Sequence, residues 1–157
     1  MLPNNRSRIL CVDDDEDACE MLSELMNSFE VDATCARSAA AAWPLIKAED
    51  FDLFVLDAWL PDLDGFRFCR QLRDFDPITP ILFYSGAAYE ADKQKGIAAG
   101  ANAYVTKPDV DGLLETMTDL IAKAKAKNVL PLWVANDSAP AETSLFRQFF
   151  SVKTASN

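Results

Sequence analysis

At 157 residues, half of them apolar, the chain has material for one proper hydrophobic core and little left for a second domain. Its formal charge of −10 repels phosphate backbones, which argues against nucleic acid as a direct partner. Histidine is missing altogether, so no side chain here can serve as a phosphohistidine donor or help thiols ligate zinc.

The charge is not evenly spread: residues 128–157 carry Arg147 and Lys153 against Asp137 and Glu142, so the first 127 residues hold all of it. Met1 to Arg8 is polar and lacks the apolar core of a secretion signal, and no apolar stretch approaches membrane-spanning length. The expectation is a cytoplasmic protein with no membrane insertion. Cys11, Cys19, Cys35 and Cys69 show no metal-ligand pair spacing and read as small, reduced core hydrophobes.

In chain order, the first apolar run, 8–12, reads as a strand and ends at the acids Asp13, Asp14, Asp15, Glu16 and Asp17. A helix follows over 16–29, with Cys19, Met21, Leu22, Leu25, Met26 and Phe29 at helical spacing. A strand near 32–36 leads to a helix over 39–48, where Trp43-Pro44 predicts either a kink or a helix that starts late, with Pro44 in its first turn. The run Leu53-Phe54-Val55-Leu56 reads as a strand closed by Asp57, followed by a helix over 65–74. Then come a strand over 80–84 ahead of Ser85, a helix over 89–99, a strand over 102–106 ahead of Lys107-Pro108, and a helix over 110–126. Short strands alternating with helices are the signature of a parallel sheet between helix layers. The expected division is one domain over 1–127 and a tail over 128–157, in which Leu145, Phe146, Phe149 and Phe150 would share one face of a short docking helix around 144–150.

Asp13, Asp14, Asp57, Ser85 and Lys107 therefore fall at the ends of successive strands, the edge where open α/β folds place their chemistry. A phosphate-binding loop would need glycine, serine or threonine after the first strand; five acids there instead repel phosphate and attract a hard cation through oxygen. Two carboxylates about 5 Å apart repel by roughly 3 kcal/mol at an effective dielectric near 20, which magnesium would relieve. One acid suffices to cap the helix that begins near 16. Asp57 is the candidate nucleophile, because a carboxylate can attack a phosphoryl group once a metal neutralises the meeting of anions. Ser85 would hydrogen-bond a phosphoryl oxygen and Lys107 would pair with its charge.

The segments ILCVDDDED, DLFVLDAWLPDLDGF, PILFYSG and GANAYVTKP resemble the receiver domain of two-component response regulators, over about residues 7 to 127. The resemblance implies a doubly wound (βα)5, flavodoxin-like α/β fold with a central five-stranded parallel sheet in the order 2-1-3-4-5. It also implies that Asp57 accepts phosphate from a bacterial histidine kinase or histidine phosphotransfer protein. Asp14 and Asp57 would ligate Mg²⁺ directly, Asp13 through water, and the Trp59 carbonyl would complete the protein ligands. Ser85 and Lys107 would contact the phosphoryl group, the Gly86 amide would add a donor, and the Lys107-Pro108 peptide would be cis. Tyr104 matches the aromatic switch that swings inward when Ser85 is drawn to the phosphate.

Two departures from the family pattern carry expectations. Trp59 and Ala87 border the path of the hydrolytic water, so a bulky Trp59 predicts slow loss of the phosphoryl group. Asp109 stands where an apolar residue is usual, so entry to the last helix should differ. About 30 residues after the receiver cannot build a typical helix-turn-helix effector. The favoured expectation is thus a stand-alone phosphoacceptor rather than a turnover enzyme, acting on a downstream protein target as a monomer or a tail-mediated homodimer. Two alternatives compete with it: a receiver-like adaptor that works without phosphate, which the intact acid, serine and lysine set argues against, and a metal-dependent phosphatase. The phosphatase would need an acid two residues after Asp57, where Trp59 stands.

Overall fold

The computed structural model describes residues 6 to 129. Five strands and five helices alternate along them: β1 Ser7–Val12, α1 Glu16–Ser28, β2 Val31–Ala36, α2 Ala39–Ala48, β3 Leu53–Leu56, α3 Gly65–Phe75, β4 Ile81–Ser85, α4 Glu90–Ala98, β5 Ala103–Thr106 and α5 Val110–Val129. The chain divides into compact units Met1–Ala124 and Lys125–Asn157, and every residue of the site described below lies in the first. The expected tail helix around 144–150 falls outside the described residues.

All strand pairs are parallel, in the order β2-β1-β3-β4-β5. From β1 the sheet grows first to β2 and then, in the other direction, through β3 to β5. This is the doubly wound flavodoxin-like arrangement, and it puts a switch point between β1 and β3.

Strand periodicity assigns each residue to one of two cores. Leu10, Val12, Phe54, Leu56, Ile81 and Phe83 face one side, with Ala42 and Ile46 of α2 and Phe68 and Leu72 of α3. Ile9, Cys11, Leu53, Val55, Leu82 and Tyr84 face the other, with Leu22 and Met26 of α1 and Leu113 and Met117 of α5. The central strands β3 and β4 are buried along their whole length, which explains their unbroken apolar sequence. Phe54, Phe68 and Phe83 are among the largest fully buried side chains, each worth roughly 2–3 kcal/mol in burial.

Helix starts are set by local chemistry. Asp15 caps α1 by accepting from the Asp17 and Ala18 N–H groups, Ser38 caps α2 through Ala41, and Asp64 caps α3 through Phe66 and Arg67. Pro44 lies inside α2, so the helix does not start late. The Ser38 cap, reinforced by Asp62 accepting from the Ala39 and Ala40 N–H groups, starts it five residues before the proline. At the far edge of the sheet Arg73 ties α3 to two loops: its guanidinium donates to the carbonyls of Asp76, Thr79 and Gly100 and to Asn102 Oδ1.

Candidate functional site

Asp13 and Asp57 stand one residue beyond β1 and β3, on either side of the switch point, and ladder-type bonds pin their backbones. The Asp13 N–H donates to the Ala36 carbonyl at 3.0 Å, and the Asp57 N–H to the Val12 carbonyl at 2.9 Å. Lys107, one residue past β5, is held likewise by its N–H to the Ser85 carbonyl at 2.9 Å. Strand register alone therefore fixes the backbones of three site residues before any side chain is placed.

The Asp57 side chain is the hub. It is 7% exposed, and both of its oxygens are engaged. Ser85, at 0% exposure, donates its hydroxyl to Oδ1 at 2.7 Å, and the Trp59 N–H donates to the same oxygen at 3.0 Å. Lys107 Nζ donates to Oδ2 at 3.0 Å and to Asp13 Oδ2 at 2.6 Å. Three donors, one of them a partly buried ammonium, give a carboxylate at a strand end the partners it needs.

Asp14 completes an acidic group. Oxygens of Asp13, Asp14 and Asp57 all lie within 4.8 Å of one another, with Asp14 exposed and the other two buried. All-oxygen donors at this spacing fit a hard divalent cation such as Mg²⁺. Burial pushes the Asp13 carboxyl above its usual value, against the opposing pull of Lys107 and the Asp15 N–H. For Lys107 burial acts downward, and hydrogen bonds from its ammonium to Asp13 and Asp57, with both charges, outweigh it and raise the amine.

The other sequence-predicted residues take separate places around this hub. Trp59 is 66% exposed. Gly86 is exposed, with open space where a Cβ would stand. Tyr104 is half-buried, stacked on Phe83 with ring centroids 5.4 Å apart, and its hydroxyl donates to the Ala87 carbonyl at 2.7 Å. Ser85 on Asp57 and Tyr104 on Ala87 occur together in this structure. The Lys107-Pro108 peptide is cis.

Asp109 caps the start of α5: its carboxylate accepts from the Gly112 N–H at 2.8 Å and its carbonyl from the Leu113 N–H at 3.1 Å.

Sequence reasoning missed three contributors. Gly65 sits so close beneath the site that a Cβ there would stand 2.2 Å from the Asp57 carbonyl and 2.7 Å from that of Ala58. Its N–H donates to the Ala58 carbonyl at 2.9 Å, closing the loop that carries Trp59. Asp62 ties that same loop to the start of α2; two backbone N–H groups, that of Ala40 foremost, hold its carboxyl below the usual range. The Ala87 carbonyl is the acceptor for Tyr104. The Pro61-Asp62-Leu63-Asp64-Gly65 stretch carried a turn signal for the first two; nothing in the sequence marks a backbone carbonyl.

Fold and site together define a class: a doubly wound, flavodoxin-like protein with an acidic, lysine-bridged pocket at the carboxyl edge of its sheet. The response regulator receiver domain family matches residues 9–118, and the chain belongs to that family. It is 38% identical over 101 residues to the alkaline phosphatase synthesis transcriptional regulatory protein PhoP of Bacillus subtilis, covering 64% of this chain and 42% of that protein. It is 33% identical over 122 residues to the response regulator MprA of Mycobacterium avium, covering 77% of this chain and 54% of that one. The chain thus spans about half the length of the curated relatives it matches. Among solved structures, the receiver domain of Francisella response regulator 1452 superimposes with a TM-score of 0.71 at 27% identity, over 75% of this chain and 98% of that one. The chemotaxis response regulator CheY4 of Vibrio cholerae gives 0.69 at 26% identity, over 74% and 99%.

Proposed function

We propose that Asp57 accepts a phosphoryl group in a two-component phosphorelay, and that the modification switches a protein-binding surface. The observation that carries this reading is the Asp57 carboxylate: buried, with the Ser85 hydroxyl at 2.7 Å on one oxygen and the Lys107 ammonium at 3.0 Å on the other. Both donors bind the carboxylate that would carry the phosphoryl group, which supports this reading.

An Asp57 oxygen attacks phosphorus, the bond from phosphorus to the donor's imidazole nitrogen breaks, and an acyl phosphate is left on the aspartate. With no histidine among these 157 residues, the donor histidine lies outside them, on a histidine kinase or phosphotransfer protein. Asp14 and Asp57 directly, Asp13 through water and the Trp59 carbonyl would hold Mg²⁺, which when bound neutralises charge as carboxylate and phosphoryl oxygens converge. Ser85 then passes its hydrogen bond from Asp57 to a phosphoryl oxygen, and the Gly86 amide adds a second. Lys107 exchanges Asp13 for the new anion. Tyr104 follows Ser85, and the surface of α4, β5 and α5 changes with it.

The protein's role is that of a phosphoacceptor with self-modifying chemistry, and its output is contact with a downstream protein. A cytoplasmic setting suits this partner chemistry; among the described residues, no helix is long and apolar enough to cross a membrane.

The test is incubation with Mg²⁺ and acetyl phosphate, followed by intact mass on wild type and Asp57→Asn. An added phosphoryl mass on wild type alone is expected. Equal masses for both proteins would favour a receiver-like adaptor that works without phosphate.

A further inference from the structure

Three of the four cysteines, far apart in sequence, converge on one side of the sheet next to the acidic pocket. Cys11 of β1 and Cys35 of β2 are register partners on adjacent parallel strands. Cys35 also touches α1: its thiol donates to the Cys19 carbonyl at 3.6 Å, and Ser23 Oγ lies 3.8 Å from its sulfur. Cys19 in turn donates to the Asp13 carbonyl at 3.4 Å. Cys11 and Cys19 are buried, whereas Cys35, on the edge strand, is partly exposed. The phosphoacceptor chemistry uses none of these thiols.

We propose that Cys35 is a peroxide-reactive thiol and that Cys11 resolves it, forming a disulfide between β1 and β2. Directly paired residues on neighbouring strands have Cα atoms about 4.8 Å apart, inside the roughly 4.4–6.8 Å window a disulfide needs. Exposure makes Cys35 the member that peroxide reaches first. Its thiolate is favoured as well: hydrogen bonding from the Cys11 thiol, with Ser23 as a further donor, outweighs desolvation and lowers it to about 6. Cys69 supplies the contrast, being fully buried against the Ala99 carbonyl, with burial holding its thiol at about 11.

The steps balance with hydrogen peroxide as oxidant. The Cys35 thiolate attacks one peroxide oxygen, the O–O bond breaks, hydroxide leaves and a sulfenic acid forms. The Cys11 sulfur then attacks the Cys35 sulfur, the S–O bond breaks, and water departs with the Cys11 proton. Two thiols have lost two electrons and two protons, and peroxide has become two waters. The cross-link lies one residue from Ala36, whose carbonyl takes the Asp13 N–H at 3.0 Å.

The test treats the full chain with equimolar hydrogen peroxide, blocks remaining thiols under denaturing conditions and measures mass. Trypsin leaves Cys11, Cys19 and Cys35 on one peptide, because no lysine or arginine lies between Arg8 and Arg37. Cleavage at acidic residues separates the three. The expected result is loss of two hydrogens, a Cys11–Cys35 linked pair and an intact Cys69 thiol. In native protein near pH 7, Cys35 should also alkylate at least roughly tenfold faster than Cys69. Cys35→Ser should abolish the mass loss. Cys11→Ala, which keeps the buried position apolar, should leave a sulfenic acid on Cys35 that dimedone traps. No mass loss, a Cys19–Cys35 link in place of the proposed one, or equal alkylation of Cys35 and Cys69 would overturn the assignment.

Discussion

Lys107 Nζ approaches Asp13 Oδ2 to 2.6 Å, nearer than Asp57 Oδ2 at 3.0 Å, so the lysine is as much counter-ion to the β1 acid as to the β3 aspartate. One ammonium between three carboxylates leaves the pocket negative. That surplus is what a divalent cation would neutralise.

The Asp13→Asn substitution tests the cost of that charge through its pH dependence. Burial raises the Asp13 carboxyl in the folded state, so the folded protein binds this proton more readily than the unfolded chain does. The group's contribution to stability is therefore present below its unfolded value and is lost as pH rises through the raised folded one. Relative to wild type, Asp13→Asn should gain stability on going from about pH 3 to pH 7. Urea midpoints across that range would check it. A difference that stays flat or reverses would mean that Lys107 fully compensates Asp13.

Removing the lysine should act in the opposite direction. Lys107→Met leaves Asp13 and Asp57 facing each other without their shared donor, at a cost of about 1–3 kcal/mol for a partly buried pair. The amine is raised in the folded state, so its stabilisation holds below its unfolded value near 10.4 and fades only as pH rises through the raised one. The amine's own titration leaves the penalty level up to about pH 9, but without Lys107 the Asp13 carboxyl rises further, so the penalty should shrink toward acid pH as that group protonates. Millimolar Mg²⁺ should recover part of it, seen as a larger rise in melting temperature than wild type shows.

Two glycines near the site predict opposite outcomes for one substitution. Gly65→Ala places a methyl 2.2 Å from the Asp57 carbonyl and must push β3 or α3 aside, whereas Gly86→Ala meets nothing within 4 Å. The first should cost about 3 kcal/mol or more and disturb Asp57, and the second should stay within about 1 kcal/mol of wild type. Thermal melts of both proteins decide it. Equal stabilities would show that the loop at Gly65 yields freely.

These cases show what sequence could and could not carry. Strand ends were readable because runs such as Leu53 to Leu56 are apolar on both faces and stop at a charge. Order along the chain then placed Asp13, Asp57, Ser85 and Lys107 at one edge. The late start that Pro44 allowed for α2 does not occur because the helix is begun from outside, by Asp62 on a distant loop. The need for glycine at 65 and the meeting of Cys11 with Cys35 arise from packing and strand register, which pair residues that no local pattern connects.

Arg73 should prove the most costly single side chain to lose at the far edge of the sheet. Its guanidinium donates to three carbonyls and to Asn102 Oδ1, which also accepts from the Ile81 N–H at the start of β4. Arg73→Ala leaves those acceptors to water or unpaired and should cost about 2–4 kcal/mol. Arg73→Lys should recover little, because a single ammonium cannot span acceptors arranged for a planar fork. Denaturant titration of the two variants measures both effects; full rescue by lysine would reduce the arginine to a point charge.

Trp59 should govern a rate rather than a stability. Its N–H donates to Asp57 Oδ1 at 3.0 Å, and the residue is 66% exposed. Substitution keeps the backbone donor and removes only the ring. Trp59→Ala should therefore accept phosphate as wild type does and lose it faster, by roughly fivefold if the ring adds about 1 kcal/mol to the barrier for water. Trp59→Phe should fall between the two. The measurement is decay of the phosphoryl mass after removal of acetyl phosphate, with Mg²⁺ held constant. Equal lifetimes for all three proteins, or loss from wild type within seconds, would show that the ring does not shield the acyl phosphate.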